Sequence, residues 1–303
     1  MRRLLLCLLF LTAPLAARAE EMIALTSNGR LLIFDSATPG TIMSSVTLSG
    51  LVGGEAMVTI DMRPHTGQIF GLGATPGNTS NRFYVINRTT GVATPIAPLP
   101  AGAVTGNRVE IDFNPNVDRI RLNAENRQNA RFNPNDGSKV AEDTLLTLNG
   151  NPARITATAY SNNVPGGTPQ QFGIDTSSLT TPVLGRIDPP NSNFNGGAYT
   201  SVGNLGVSLS SDFMGLDVSG ETGTLYAALD VGGSNLYSIN PTTGAATLLG
   251  AIGGLTGGER VIGLTTAAVP EPGTMILAGF GGVGALAAGW RHRRRRKQKA
   301  KKK

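Results

Sequence analysis

Between residues 20 and 267 the apolar positions come in short runs of β-branched and aromatic side chains, cut by Gly, Asn, Asp, Pro and Thr. That pattern predicts strands joined by tight turns, and no long 3.6-residue periodicity competes with it outside the two apolar ends. The turns repeat. Phe83 to Thr94 (FYVINRTTGVAT) matches Leu236 to Thr247 (LYSINPTTGAAT) almost position for position: an alternating strand, an Asn-x-Thr-Thr-Gly turn and a returning strand, which is a hairpin. Ile60 to Phe70 corresponds to Leu216 to Tyr226 in the same way, and Ile111 to Ile120 is a third copy. Two hairpins per repeat make a four-stranded unit, the expected blade of a β-propeller.

Reading outward from these anchors predicts blades near 55–99, 107–148, 154–203 and 212–252. A remainder is left at each end. Residues 22–50 supply three strands, and Arg260 to Thr266 supplies one. Joined, they complete a fifth blade and close the ring, which removes the open edges an all-β sheet would expose. The fold class is therefore all-β and propeller-like, with five four-stranded blades. A β-sandwich or solenoid could use the same turns, but only a closed ring explains why the two terminal remainders are complementary.

Each end carries a different pattern. Arg2 and Arg3 precede the apolar stretch Leu4 to Ala13, and Ala17-Arg18-Ala19 fits a small-x-small cleavage site, so residues 1–19 read as a secretory signal peptide. The stretch is well short of the ~20 residues of a spanning helix. The single cysteine, Cys7, lies inside it, which leaves the exported chain without thiol, disulfide or cysteine metal site. At the other end, 268–303, Val269-Pro270-Glu271-Pro272-Gly273 precedes an apolar run, 274–290, and a basic tail, 291–303. Prolines break regular structure ahead of the run, the run partitions into lipid, and the cations hold the tail in the cytoplasm. The run is short and holds several glycines, so it suits a temporary stop in the membrane better than a lasting anchor. A plain single-pass protein that keeps its tail is the alternative.

Charge changes meaning once the ends are set aside. The whole chain is +6 with a pI near 9.8. Ten of its cations are in the basic tail, 291–303, and three in the leader, so 13 cations face all 20 acids between Glu20 and Trp290, and that exported stretch carries about −7. A nucleic-acid partner is excluded as a reading, since the basic run is terminal and no basic face with interleaved aromatics exists elsewhere.

The tripartite tail resembles the PEP-CTERM signal, whose bearers are exported proteins of Gram-negative bacteria processed by an exosortase. Val269, Pro270, Glu271 and Pro272 carry the resemblance, which implies passage through the inner membrane, exosortase as a partner, and a final place in the periplasm, at the surface or outside the cell. The domain, 20–267, resembles the bacterial family called domain of unknown function 4394, through Ile111-Asp112-Phe113-Asn114-Pro115 and Gly173-Ile174-Asp175-Thr176 among others. That resemblance implies a secreted propeller-like domain and donates no catalytic residue.

Little in the domain points to catalysis. Its one histidine, His65, sits in a tight turn, has no Gly-x-Ser-x-Gly elbow to serve, and cannot make a zinc site alone. Carboxylates remain, because a glycosidase needs only two. Asp61, Asp112 and Asp217 recur at equivalent repeat positions, with Asp175 as a possible fourth copy, and either cap backbone N–H groups or ring the central channel. Glu55, Glu110 and Glu259 precede inner strands and are the candidates for lining one mouth of that channel. Asp136, in Asn133-Pro134-Asn135-Asp136-Gly137, and Asp188 stand in oxygen-rich segments, but turn chemistry explains both without an ion. No cofactor is expected. The function read from the sequence is a surface or extracellular-matrix protein whose propeller binds exopolysaccharide or another surface protein; the alternative is a carbohydrate-active enzyme using channel carboxylates. The domain contains no tryptophan for a sugar platform.

Overall fold

The computed structural model describes residues 19–187 and 193–267. The leader up to residue 18, Asp188 and the whole sorting tail lie outside the described residues. Blade 1 contains β1 (Glu21–Thr26), β2 (Arg30–Asp35) and β3 (Ile42–Thr47). Blade 2 is β4 (Ala56–Arg63), β5 (Gln68–Ala74), β6 (Asn81–Ile86) and β7 (Ala93–Pro98). Blade 3 is β8 (Val109–Asn114), β9 (Arg119–Ala124), β10 (Asn129–Phe132) and β11 (Lys139–Glu142). A small hairpin, β12 (Thr147–Leu148) and β13 (Asn151–Pro152), leads into blade 4: β14 (Ile155–Tyr160), β15 (Gln171–Asp175), β16 (Val183–Ile187) and β17 (Ala198–Asn204). Blade 5 is β18 (Met214–Val218), β19 (Leu225–Asp230), β20 (Ser234–Ile239) and β21 (Ala246–Ala251). The last strand, β22 (Val261–Thr266), pairs antiparallel with β1, from Met22 opposite Thr266 to Thr26 opposite Val261. It becomes the innermost strand of blade 1, in the order β22-β1-β2-β3.

Five blades thus close as the terminal remainders require. One boundary moves. Thr147 and Leu148, at the predicted end of blade 3, instead pair in parallel with Ala198 and Tyr199 and extend the outer edge of blade 4 to a sheet of six strands. Leu146 explains the exchange: it is buried in the same apolar cluster as Ile155, Ile187 and Tyr199 of blade 4.

The innermost strands β22, β4, β8, β14 and β18 pack side by side around the axis. All six residues of β8 and of β14 are buried, whereas β3 alternates half-buried and exposed, as a strand at the outer edge should. Core layers lie between blades. Phe70, Leu72, Phe83, Phe113, Leu122 and Phe132 join blades 2 and 3, and Phe172, Leu184, Met214, Leu216 and Leu229 join blades 4 and 5. Edge-to-face contacts between Phe70 and Phe113 (5.0 Å) and Phe83 and Phe132 (5.3 Å) set the first of these.

Outer turns lock blades 2 and 5 onto their predecessors. In the Asn87 to Gly91 turn, the Thr89 and Thr90 N–H groups donate to Asn87 Oδ1 (3.0 Å each) and Gly91 N–H donates to the Asn87 carbonyl (2.8 Å). Asn240 to Gly244 repeats the pattern at 2.9, 3.1 and 2.8 Å. Gly91 (φ +72°) and Gly244 (φ +79°) need glycine twice over: a Cβ would face positive φ and would meet the Thr47 and Gly203 carbonyl oxygens at 2.3 and 2.4 Å. Those carbonyls belong to the fourth strands of blades 1 and 4.

Candidate functional site

The recurring aspartates meet at the propeller axis. Asp61, Asp112 and Asp217 stand at the same place on β4, β8 and β18, and an oxygen from each lies within 4.8 Å of the others. All three are buried. Each accepts a backbone N–H from the next blade: Phe113 to Asp61 Oδ2 (2.8 Å), Tyr160 to Asp112 Oδ1 (3.1 Å) and Thr266 to Asp217 Oδ2 (2.6 Å). Thr265 takes the position in blade 1, where its Oγ1 accepts from the Met62 N–H (3.1 Å) and its hydroxyl lies 3.1 Å from both Asp61 Oδ1 and Asp217 Oδ2. Capping and ringing the channel, posed as alternatives by the sequence, are one arrangement. The fifth position is Ala159, which has no acceptor, and Val218 N–H turns to its own Asp217 Oδ1 (2.7 Å). Asp175 is not the fourth copy: it ends β15 and accepts from Arg154 N–H (3.1 Å) and Ser177 N–H (2.7 Å).

Of the three glutamates, Glu110 alone reaches the channel. It precedes Asp112 by two residues on β8, so both project to the same side, and it accepts from Thr59 Oγ1 (3.0 Å). At this level Gly215 lets β18 approach β22, since a Cβ there would meet Leu264 N at 2.3 Å. Glu55 and Glu259 stand six residues ahead of Asp61 and Thr265 and form equivalent buried ion pairs with the third strands of blades 2 and 1. Glu55 accepts from Arg82 Nε (2.8 Å), Ser80 Oγ (2.9 Å) and Tyr84 OH (2.5 Å). Glu259 accepts from Arg30 through Nε (3.1 Å) and through Nη2. The structure therefore does not bring the three together across a cleft.

Burial sets the electrostatics. It pushes the carboxyls of Asp61, Glu110 and Asp112 well above the usual carboxylate range, and the neighbouring acids push them further. Asp217 is pushed up to about 6 by burial, opposed by the hydrogen bonds it accepts from Thr266. Around Glu259 burial acts upward, yet the hydrogen bond from Arg30 leaves the group below its ordinary value. Tyr84 is driven up to about 12 by burial and by donating to Glu55. Among the described residues, Asp61, Asp112 and Asp217 are also the one acidic group close enough to hold a metal ion. Their all-oxygen donors would suit a hard cation.

Both approaches to this cluster are narrow. At one mouth all five blades line a cavity of about 60 Å³, with Val58, Glu110, Thr156, Met214 and Ile262 in its wall. Arg108 lies 4.0 Å over the Phe213 ring, and Asp212 bridges Arg108 Nε (2.9 Å) and Arg154 Nη2 (2.6 Å) across it. At the opposite end Asn163, on the loop after β14, comes within 3.4 Å of Asp217 Oδ1, and Gly166 N–H ties that loop to the Pro115 carbonyl (2.9 Å).

A larger pocket, about 210 Å³, opens between blades 3 and 4, lined by Asn116, Arg119, Arg121, Arg131, Tyr160 and Asn195 among others. No sequence signal marked it, because its residues come from four separated segments. His65 occupies an exposed turn with Nδ1 3.7 Å from Asp118, which is held below the carboxylate range chiefly by its hydrogen bond from Arg63. Asp136 accepts the Ser138 N–H (2.8 Å) within its own turn. That turn, Asn133 to Gly137, is a third copy of the outer hairpin, with Gly137 N–H donating to the Asn133 carbonyl (2.9 Å).

Comparison with solved structures agrees with the architecture. A chain of the nidogen/laminin complex is 9% identical over 82% of this chain and 98% of its own, with a TM-score of 0.50, and shares the fold alone. Hydrazine synthase of Kuenenia stuttgartiensis aligns at 10% identity over 73% of this chain and 59% of its own, with a TM-score of 0.39. A search of curated proteins found no match. Residues 268–295 match the PEP-CTERM protein-sorting motif, which marks an exported protein for processing by exosortase at the membrane and sorting to the cell envelope or surface. Residues 30–265, spanning all five blades, match a second family, and the chain accordingly belongs to the family described as Domain of unknown function (DUF4394).

Proposed function

We propose that this protein is a non-catalytic binding module of the cell surface or extracellular matrix, delivered by its sorting tail, whose propeller meets a polysaccharide or another surface protein. The observation that carries this reading is the state of the channel carboxylates. A glycosidase needs two carboxyls about 5 to 10 Å apart flanking a bond in a cleft that admits sugar. Here Asp61, Asp112 and Asp217 crowd within 4.8 Å, accept backbone N–H groups from neighbouring blades, and lie behind a cavity of only about 60 Å³. That space suits one or two water molecules, not a sugar ring. The two glutamates outside the channel are bound to arginines.

Incubating the full chain with extracted exopolysaccharide tests the reading. Retention of the polymer with no change in its mass distribution is expected. Shorter products would replace the binding module with the carbohydrate-active enzyme.

A further inference from the structure

Three arginines converge on the pocket between blades 3 and 4 with one carboxylate among them. Arg121 is 2% exposed and fully positioned: its Nε donates to Tyr160 OH (3.0 Å), Nη1 to Asn129 Oδ1 (2.7 Å) and Asp143 Oδ2 (2.7 Å), and Nη2 to Asn195 Oδ1 (2.9 Å). Arg131 donates to the same Asp143 through Nε (2.7 Å) and Nη2 (3.0 Å). Arg119 donates from Nη1 to the Asp118 backbone carbonyl (2.9 Å), while the Asp118 carboxylate is engaged by Arg63 Nε (2.8 Å). The lining is thus locally cationic on a domain whose net charge is about −6, 13 cations against 19 acids.

We propose that this pocket binds one ring of a uronate-class sugar, a hydroxylated ring bearing a carboxylate. The proposal rests on the binding-module reading and names what the module holds. Guanidinium groups match a carboxylate with paired N–H donors, as Arg131 already does toward Asp143. The lining also holds Asn114, Asn116, Asn193 and Asn195. The side-chain oxygens of Asn193 and Asn195 already accept from Gly196 N–H and Arg121 Nη2, so these two amides offer N–H donors, which suit the oxygens of ring hydroxyls. A bare phosphate would satisfy the arginines but has no use for an aromatic wall, and a neutral sugar would leave the cations without a partner. Tyr160 and Phe194, edge to face at 5.1 Å, supply an apolar wall for the ring's C–H face. At about 210 Å³ the pocket is below the ~300 Å³ at which drug-sized sites begin, so a single ring fits it.

Calorimetric titration of the full chain in detergent micelles with sodium glucuronate, glucose and inorganic phosphate tests this. Saturable binding of glucuronate, absent for glucose, is expected. Arg119→Gln should weaken it at least tenfold while leaving the melting temperature unchanged, because Arg119 stands outside the Arg121 network. If that variant fails to fold, Asn116→Ala, on an exposed turn, reads the same site with a several-fold loss. Equal affinity for phosphate would reveal a bare-anion site and overturn the uronate assignment. Glucose binding as tight as glucuronate, or glucuronate binding indifferent to both substitutions, would also overturn it. Polymer retention without glucuronate binding overturns this proposal and leaves the binding module standing; loss of both removes both.

Discussion

Asp217 concentrates the conflict at the heart of the ring. Its Oδ2 is within 3.1 Å of three donors, Thr265 Oγ1, Thr266 N and Thr266 Oγ1, and yet it shares a buried channel with Asp61 and Asp112. A carboxyl raised from 3.8 to about 6 on folding binds its proton more tightly in the folded state. Its contribution to stability is therefore complete below the unfolded value and is lost as pH rises through about 6. Asp61, Asp112 and Glu110 act in the same direction, also upward. Asp118, Asp212 and Glu259, held low, act oppositely and weaken the fold only as pH falls through the carboxylate range. Between about pH 5 and pH 8 the first set decides the sign, so the melting temperature should fall by on the order of 5 °C. Asp217→Asn, a neutral isostere that still accepts from Thr266, should flatten that slope. A melting temperature that rises or stays constant over this interval would refute the account. The recurrence of Asp at the ring was legible in the repeats. What replaces it in blade 4 was not, because Ala159 has no polar side chain to recognise and Asp175 offered a local resemblance instead.

At the scale of elements, the Asn-x-x-x-Gly turn proved more general than its two obvious copies. Asn133 to Gly137, read from the sequence as an oxygen-rich turn, is less obvious as a copy because Asn135 and Asp136 replace Thr-Thr, while the bonds that matter run from Gly137 N–H to the Asn133 carbonyl and from Asn135 N–H to Asn133 Oδ1 (3.1 Å). Only the two ends of the turn carry its geometry. The closing strand is the other decisive element. β22 supplies the innermost strand of blade 1, packs beside β4 and β18, and places Thr265 in the ring. Deleting Arg260 to Thr266 removes all of these at once and opens the sheet edge of β1. We expect loss of cooperative unfolding, read by circular dichroism; a truncated chain that melts like the intact one would sink the closure account.

For the whole molecule, the sorting motif begins at residue 268, directly after the ring is sealed at Thr266 and Ala267 N–H donates to the Glu21 carbonyl (3.0 Å). Delivery and folding therefore occupy separate segments of chain. Removing Val269 to Lys303 should leave the propeller intact and shift the protein from the membrane fraction to the soluble fraction in cell fractionation; unchanged localisation would overturn the tail's role. The sequence by itself determined the blade number, the ring closure and the address, because these rest on periodic turns and on terminal patterns that are local in the chain. The inter-blade hydrogen bonds of the aspartates, the arginine pairs of Glu55 and Glu259, and the cationic pocket were decided only by tertiary structure. Each joins residues from different blades or strands, and a one-dimensional pattern carries no information about which side chains close packing will bring within 3 Å.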